Sequence, residues 1–322
     1  MKNKTAILFT TRNCYQLFDG IFFNPQHTKQ DFSDYYVFNI DLNSDAEQQE
    51  LRKFAQEKFN LIDIPVDVND RNIYSVNKDI ELCAKYIEEN ELDIEWLIWC
   101  SHDTVFSGEN FLKNFEDILD SNPRFKTEVG SIGFGDYGQI EEGKACYGRS
   151  NLLQGMVEVG KAFVQNVSDE YVESDYFLVE APNDNIVAVN LDLYRKHIEF
   201  DPEFILFYVW DDIAAQFGLK QIASITIPSL HVVDLFREKP KYNLQRSIFS
   251  GTDTHIDSYQ NAADTYQRRW REKYGFYRGL VPPTKEEFNN LDDLYNESIQ
   301  KKIFSWHVND GPKTLDDLGV RE

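Results

Sequence analysis

Three places in the chain carry side chains suited to chemistry. The first is WLIWCSHDTVF, where an apolar run ends and Asp103 emerges with Ser101 and His102 beside it. A carboxylate at the end of a buried strand is a hard oxygen ligand for Mg2+ or Mn2+, ions whose other positions are filled by water and phosphate oxygens. The same residue type also caps turns. The second place is YVWDDIAAQFG, where Asp211 and Asp212 open a helix. Acidic residues there complement the helix dipole, and a carboxylate held near a hydroxyl can also remove its proton as a general base. Tyr208 and Trp210 just before them either offer ring faces to a sugar or belong to the core. The third is His231, just past the apolar run ASITIPSL, where an imidazole can join a metal or simply end a strand.

These residues need elements to position them, and strand-like and helix-like segments alternate from the start. TAILFT (5–10) and YYVFNI (35–40) are continuous apolar runs, as strands buried on both faces require. A helix follows the second. Ser44 and Glu47 have the spacing of a capping box, and Leu51, Phe54, Ala55 and Phe59 share one helical face. The segment 61–66 reads as a third strand, Val76, Ile80, Cys83, Ala84 and Ile87 as a helix, and EWLIWC (95–100) as a fourth strand. Phe111, Leu112, Phe115, Ile118 and Leu119 mark another helix. The Gly-rich strand VGSIGFGDYG comes next, then a stretch to about residue 174 without periodicity. Strands at 176–180 and 185–190, a short helix, WDDIAAQFG and a strand ending at His231 complete the pattern, and SYQNAADTYQRRWREKYG reads as helical. Such alternation predicts a parallel sheet covered by helices, with ligands at the carboxyl ends of its strands.

Composition narrows the partners. The chain has 322 residues, 42% of them hydrophobic and 14% aromatic, enough for a substantial core. Against 33 Lys and Arg stand 55 Asp and Glu, a formal charge of -22 that repels nucleic acid and anionic membrane surfaces at long range. An anionic ligand then needs a local cation or backbone N–H groups to hold it. MKNKTAILFTTRN is too short an apolar run for a leader, and no run reaches the 18 apolar residues of a span. Cys14, Cys83, Cys100 and Cys146 show no CxxC spacing. The expectation is a cytoplasmic protein with reduced thiols and no membrane insertion.

The order of these motifs resembles that of GT-A type glycosyltransferases, similar to family 2 and its rhamnosyltransferase-like members. The match runs through TAILFTTRN, YYVFNIDLNSD, RNIYSVNKDIELCAKYI, WLIWCSHDTVF, VGSIGFG, NIVAVNLDLYRKHIEFDPEFILF, WDDIAAQFGLK and IPSLHVVD, roughly residues 4–234. The resemblance implies an α/β fold, a GT-A (Rossmann-like) domain over 1–237 with a mostly parallel central sheet covered by helices; the tail over 238–322, which the resemblance does not cover, reads as a C-terminal helical extension. It implies a nucleotide-sugar donor, a glycan or other hydroxyl acceptor, inversion at the anomeric carbon, and Mn2+ or Mg2+.

The implied site follows the motifs. Thr10, Thr11, Arg12 and Asp41 surround base and ribose, and Asn77, at the Asn of an NxGI-type motif, shapes the phosphate region, where nearby Arg71 can meet a phosphate as a bidentate hydrogen-bond donor. The DxD metal motif reads Ser101-His102-Asp103 here, so Asp103 is the retained acid and Ser101 and His102 flank the donor. His231 completes the metal shell, Asp211 or Asp212 is the base, and Trp210 stacks on sugar. Two other readings exist. A fold that binds nucleotide sugar or carbohydrate without turnover accommodates the acid missing at Ser101. A nucleotidyltransferase would carry a Gly-rich basic loop after the first strand, whereas TTRNCYQLF has no Gly before Gly20.

Overall fold

The computed structural model describes residues 4–15, 30–42, 44–67, 75–101, 104–137, 145–148, 172–179, 181–183, 185–201, 204, 208–234 and 265. Their strands are β1 (Thr5–Thr11), β2 (Tyr36–Asp41), β3 (Ile62–Asp63), β4 (Trp96–Cys100), β5 (Thr104–Phe106), β6 (Val129–Tyr137), β7 (Ala145–Cys146), β8 (Phe177–Val179), β9 (Ile186–Asn190) and β10 (Ala223–Asp234). The helices are α1 (Gln49–Phe59), α2 (Val76–Glu89), α3 (Phe111–Ser121), α4 (Phe125–Glu128), α5 (Leu191–His197) and α6 (Val209–Leu219). Apart from Thr265, which is helical and buried, the expected extension over 238–322 lies outside the described residues, as does most of the aperiodic stretch before residue 174.

One mixed sheet runs in the order β3-β2-β1-β4-β9-β6-β10-β5, with β7 on β6 and β8 on β10. Strands β1, β2, β3, β4, β6 and β10 point one way, and β5, β7, β8 and β9 the other. Thr11, Asp41, Asp63 and Cys100 therefore end their strands on a single edge of the sheet. Strand β9, antiparallel between β4 and β6, begins there too, with Ile186 opposite Cys100.

Both faces of the sheet are covered, which is why its strands are apolar at consecutive positions. Ile7, Phe9, Trp96 and Ile98 pack under α3 on one face. Ala6, Leu8, Leu97 and Trp99 pack with α2, α5 and α6 on the other. Gly130 is required by this packing, because a Cβ there would lie 2.4 Å from Cδ2 of Phe217 on α6. Strand β10 bulges between Ile227 and His231 and resumes pairing at Gly135. Pro228, which has no N–H for the ladder, sits in that bulge.

Several expectations need correction. The third strand shrinks to Ile62–Asp63. The capping box at Ser44 does not form, because Ser44 Oγ accepts from Asn13 N (2.9 Å) and a 3-10 turn over Ala46–Gln48 leads into α1. The apolar face foreseen for α1 is only partly used: Ala55 is buried, but Leu51 and Phe54 are 39% and 47% exposed. That helix covers the sheet margin, where little apolar surface is available, and Lys58 lies over the Phe54 ring instead.

Candidate functional site

At the shared carboxyl edge, the ends of β1 and β2 build the first part of the site. Asp41 is buried, its Oδ1 taking Ser44 N (2.6 Å) and its Oδ2 the Tyr15 hydroxyl (2.5 Å). Burial and the Asp41 charge both raise the Tyr15 pKa, so this hydroxyl stays a donor at all working pH values. Thr11 is buried behind it, donating to Tyr15 Oη (3.1 Å) and Asn39 Oδ1 (2.9 Å). Asn39 in turn donates to Asp63 at the end of β3 (2.7 Å). Arg52 reaches in from α1, pairing with Asp63 through Nη2 (2.5 Å) and Nε (2.7 Å) and standing 3.4 Å from Asp41. A cavity of about 340 Å³ opens here, lined by Asp41, Ser44, Gln49, Arg52, Asp63 and Val66. Arg12 is half-buried beyond β1, and its buried Nε has no acceptor.

Asp41 and Thr11 were named from the sequence through the resemblance. Tyr15, Asp63 and Arg52 were not. Charged residues on a helix facing solvent and on one facing a ligand look alike until the helix is docked. Asp63 fell inside the expected strand over 61–66, and only the shorter observed strand, Ile62–Asp63, sets it at the edge.

On the other face of the sheet, Thr10 donates to Asp79 Oδ2 (2.7 Å) and accepts from Trp99 Nε1 (3.0 Å). Asp79 is fully buried, and desolvation drives its pKa well above the usual carboxylate range. An ionised Asp79 would leave Oδ1 without a donor. Asn77 does not open toward a phosphate. It is buried, and its carbonyl and side-chain oxygens accept from the Tyr194 hydroxyl, so it fastens the head of α2 to α5.

The acidic pair opens α6, as the spacing predicts. Asp211 and Asp212 are only 3% and 1% exposed, and Asp212 accepts from Gln216 Nε2 (2.7 Å) one turn on. Gln216 Oε1 is itself fixed by Glu199 N (2.8 Å). Trp210 departs from its expected role as a sugar platform. It is 2% exposed, with its ring 6.0 Å from that of Trp99, because α6 turns it into the core.

Arg71, His102 and Asp103 lie outside the described residues. Ser101 is at the edge, its N–H donating to Asn185 O (2.8 Å). His231 is half-buried against the Tyr137 ring (4.9 Å), and burial lowers its pKa, leaving a neutral imidazole of the kind that binds metals. Ser107 N donates to His231 O, whereas Thr104 pairs with Asp234. Three strand positions, about 10 Å, therefore separate His231 from the level of Thr104. Among the described residues no three His, Cys, Asp or Glu side chains form a metal-binding group.

No protein-family model matches the chain, and no curated protein matches it. Solved structures do. The crystal structure of GalNAc-T7 with UDP, GalNAc and Mn2+ superposes with a TM-score of 0.50 at 9% identity, covering 91% of this chain and 57% of that one. The chain thus spans little more than half the length of that protein. The mannosyltransferase PcManGT from Pyrobaculum calidifontis with GDP-Man and Mn2+ gives 0.48 at 11% identity, over 92% of this chain and 82% of that one. TarS 1-349 of S. aureus with UDP gives 0.45 at 14%, over 86% and 74%. The chain has the GT-A glycosyltransferase fold: a mostly parallel α/β sheet between helical layers. No helix among the described residues is long and apolar enough to cross a membrane, and the four cysteines are buried and in no disulfide.

Proposed function

We propose that the chain moves a sugar from a nucleoside-diphosphate sugar to a hydroxyl acceptor, with inversion, in the manner of family 2 glycosyltransferases. The observation that carries this reading is the cavity beside Asp41 at the carboxyl edge of a GT-A sheet. Asp41 at that cavity and Arg12 at the end of β1 hold the nucleoside. Outside the cavity, a carboxylate of Asp211 or Asp212 takes the acceptor proton as the acceptor oxygen bonds to the anomeric carbon and the bond from that carbon to the nucleoside diphosphate breaks. Gln216 Nε2 donates to Asp212 and fixes the orientation of its carboxylate. A divalent cation, Mn2+ or Mg2+, is assigned to Asp103, and it supplies the positive charge that a diphosphate needs on a chain of net charge -22. The histidine at 231 has the chemistry to share that ion.

The test is release of nucleoside diphosphate from UDP-, GDP- and dTDP-sugars, with and without Mn2+, alongside thermal shift. Asp211→Asn and Asp212→Asn made separately should abolish turnover at one position while donor binding survives. Unchanged turnover in both would remove the base assignment, and His231→Ala tests whether this imidazole affects Mn2+ affinity. A second reading, a nucleotide-sugar binder without turnover, draws support from Ser101 standing where the first acid of the metal motif would be. Mn2+-dependent binding without release would favour it.

A further inference from the structure

A second polar cluster stands at the same edge of the sheet, away from the cavity beside Asp41. Asp136, next to last in β6, is 1% exposed, and its Oδ2 accepts from Asn183 Nδ2 (2.8 Å) and Asn185 Nδ2 (2.7 Å). Both asparagines come just before β9. The backbone carbonyl of Asn185 accepts from Ser101 N (2.8 Å), which extends the β4–β9 ladder by one position. Ser101, Asn185 and Asp136 therefore stand in a row across the ends of β4, β9 and β6. None of the three side chains at 136, 183 and 185 has a part in holding the nucleoside or taking the acceptor proton.

With two N–H groups on it, Asp136 Oδ2 acts only as an acceptor. Turning either amide round would set its oxygen against Oδ2, acceptor against acceptor. Each asparagine is thereby locked with its N–H toward Asp136 and its Oδ1 turned away. Donation to a carboxyl group also polarises the amide and makes its oxygen a better acceptor. Asn183 is 1% exposed, and its Oδ1 receives no donor. Asn185 is only half-buried, so its Oδ1 is the one that a ligand can reach.

We propose that Asn185 reads one hydroxyl of the transferred sugar and that Asp136 is its positioning residue, an inference that rests on the nucleotide-sugar reading. Asn185 abuts Ser101 at the end of β4, two residues ahead of the acid assigned to the cation. On that reading, the sugar borne by the diphosphate is the group that meets it. A locked carbonyl oxygen takes a hydroxyl proton and is left without a donor when the hydroxyl is missing. The site thus selects a sugar with a free hydroxyl at the contacted carbon over its deoxy counterpart.

The experiment is calorimetric titration of the full chain in Mn2+ with UDP and GDP, each bare and carrying glucose, N-acetylglucosamine or mannose. The quantity read is the ratio of the bare nucleotide's Kd to that of the nucleotide sugar. For the best-bound sugar, Asn185→Ala should lower this ratio about 3- to 10-fold, the worth of one hydrogen bond, and leave bare nucleotide binding unchanged. Asp136→Leu should lower it as far, and the double variant no further, because Asp136 acts through Asn185. Asp136→Asn keeps an oxygen that both amides can reach and should retain most of the ratio. One deoxyfluoro form of that sugar, at C2, C3, C4 or C6, should lose the same factor in wild type and nothing more in Asn185→Ala. Asn185 is half-buried, so its alanine variant keeps the test open if Asp136→Leu does not fold. An unchanged ratio in Asn185→Ala, or an equal loss for bare nucleotide and nucleotide sugar, would overturn the proposal and leave the transferase reading standing. A wild type that binds bare nucleotide but none of the sugars would also overturn it, and one that binds no nucleotide at all would overturn both.

Discussion

Replacing Tyr15 with Phe removes one oxygen from the centre of the site and leaves the ring in the core. The structure assigns three hydrogen bonds to that oxygen: to Asp41 at 2.5 Å, from Asn39 at 3.0 Å and from Thr11 at 3.1 Å. Their loss is not threefold. Thr11 keeps Asn39 Oδ1, and Asn39 keeps Asp63, so both neighbours retain a partner. Asp41 is the group left short, a buried carboxylate reduced to Ser44 N and the more distant Arg52. One lost hydrogen bond to a charged, buried group costs about 2 kcal/mol, roughly a 30-fold shift in the unfolding equilibrium. Urea unfolding should show this as a lower midpoint at unchanged slope. A double-mutant cycle with Asp41→Asn should return a coupling of about 1–2 kcal/mol, since the two side chains touch. A Phe variant within about 0.5 kcal/mol of wild type, with no coupling, would refute the claim that Tyr15 holds Asp41.

Three further outcomes follow from other parts of the fold. Gly130→Ala places a methyl 2.4 Å from the Phe217 ring and should cost about 1–3 kcal/mol by overpacking, measured by urea unfolding; a neutral result would mean that α6 is not seated on β6 as described. Trp210→Ala should cost about 3–5 kcal/mol as a core truncation, whereas a sugar platform would lose acceptor affinity at little cost in stability. Asp79 has a folded-state pKa raised above its unfolded value, so its contribution is full below about pH 4 and is lost as pH rises through the folded value. Asp79→Asn should therefore gain stability relative to wild type as pH increases, and parallel pH profiles for the two proteins would contradict the burial of this acid.

The elements that carry the site were legible wherever burial on both faces left a continuous apolar run. TAILFT and EWLIWC became β1 and β4 nearly residue for residue, and the Val76 to Ile87 periodicity became α2, with every predicted inward position buried. Asp41 was named through the resemblance, which sets the end of the second strand beside the nucleotide. Arg52 was hidden because α1 carries charges on several faces, and only docking shows which one meets Asp63.

The sequence by itself determined the alternation of strands and helices, the order of the motifs and hence the α/β class, since these depend on local periodicity. It also placed Asp41, Ser101, Asp211 and Asp212 at element ends. The tertiary structure alone decided that β9 runs antiparallel between β4 and β6, that the β10 bulge sets His231 opposite Gly135, and that Trp210 and Asn77 turn inward. It alone joined Tyr15, Asn39, Asp41, Arg52 and Asp63 into one circuit. The physical reason is that register, helix rotation and side-chain pairing depend on contacts between residues far apart in the chain, which no local pattern encodes.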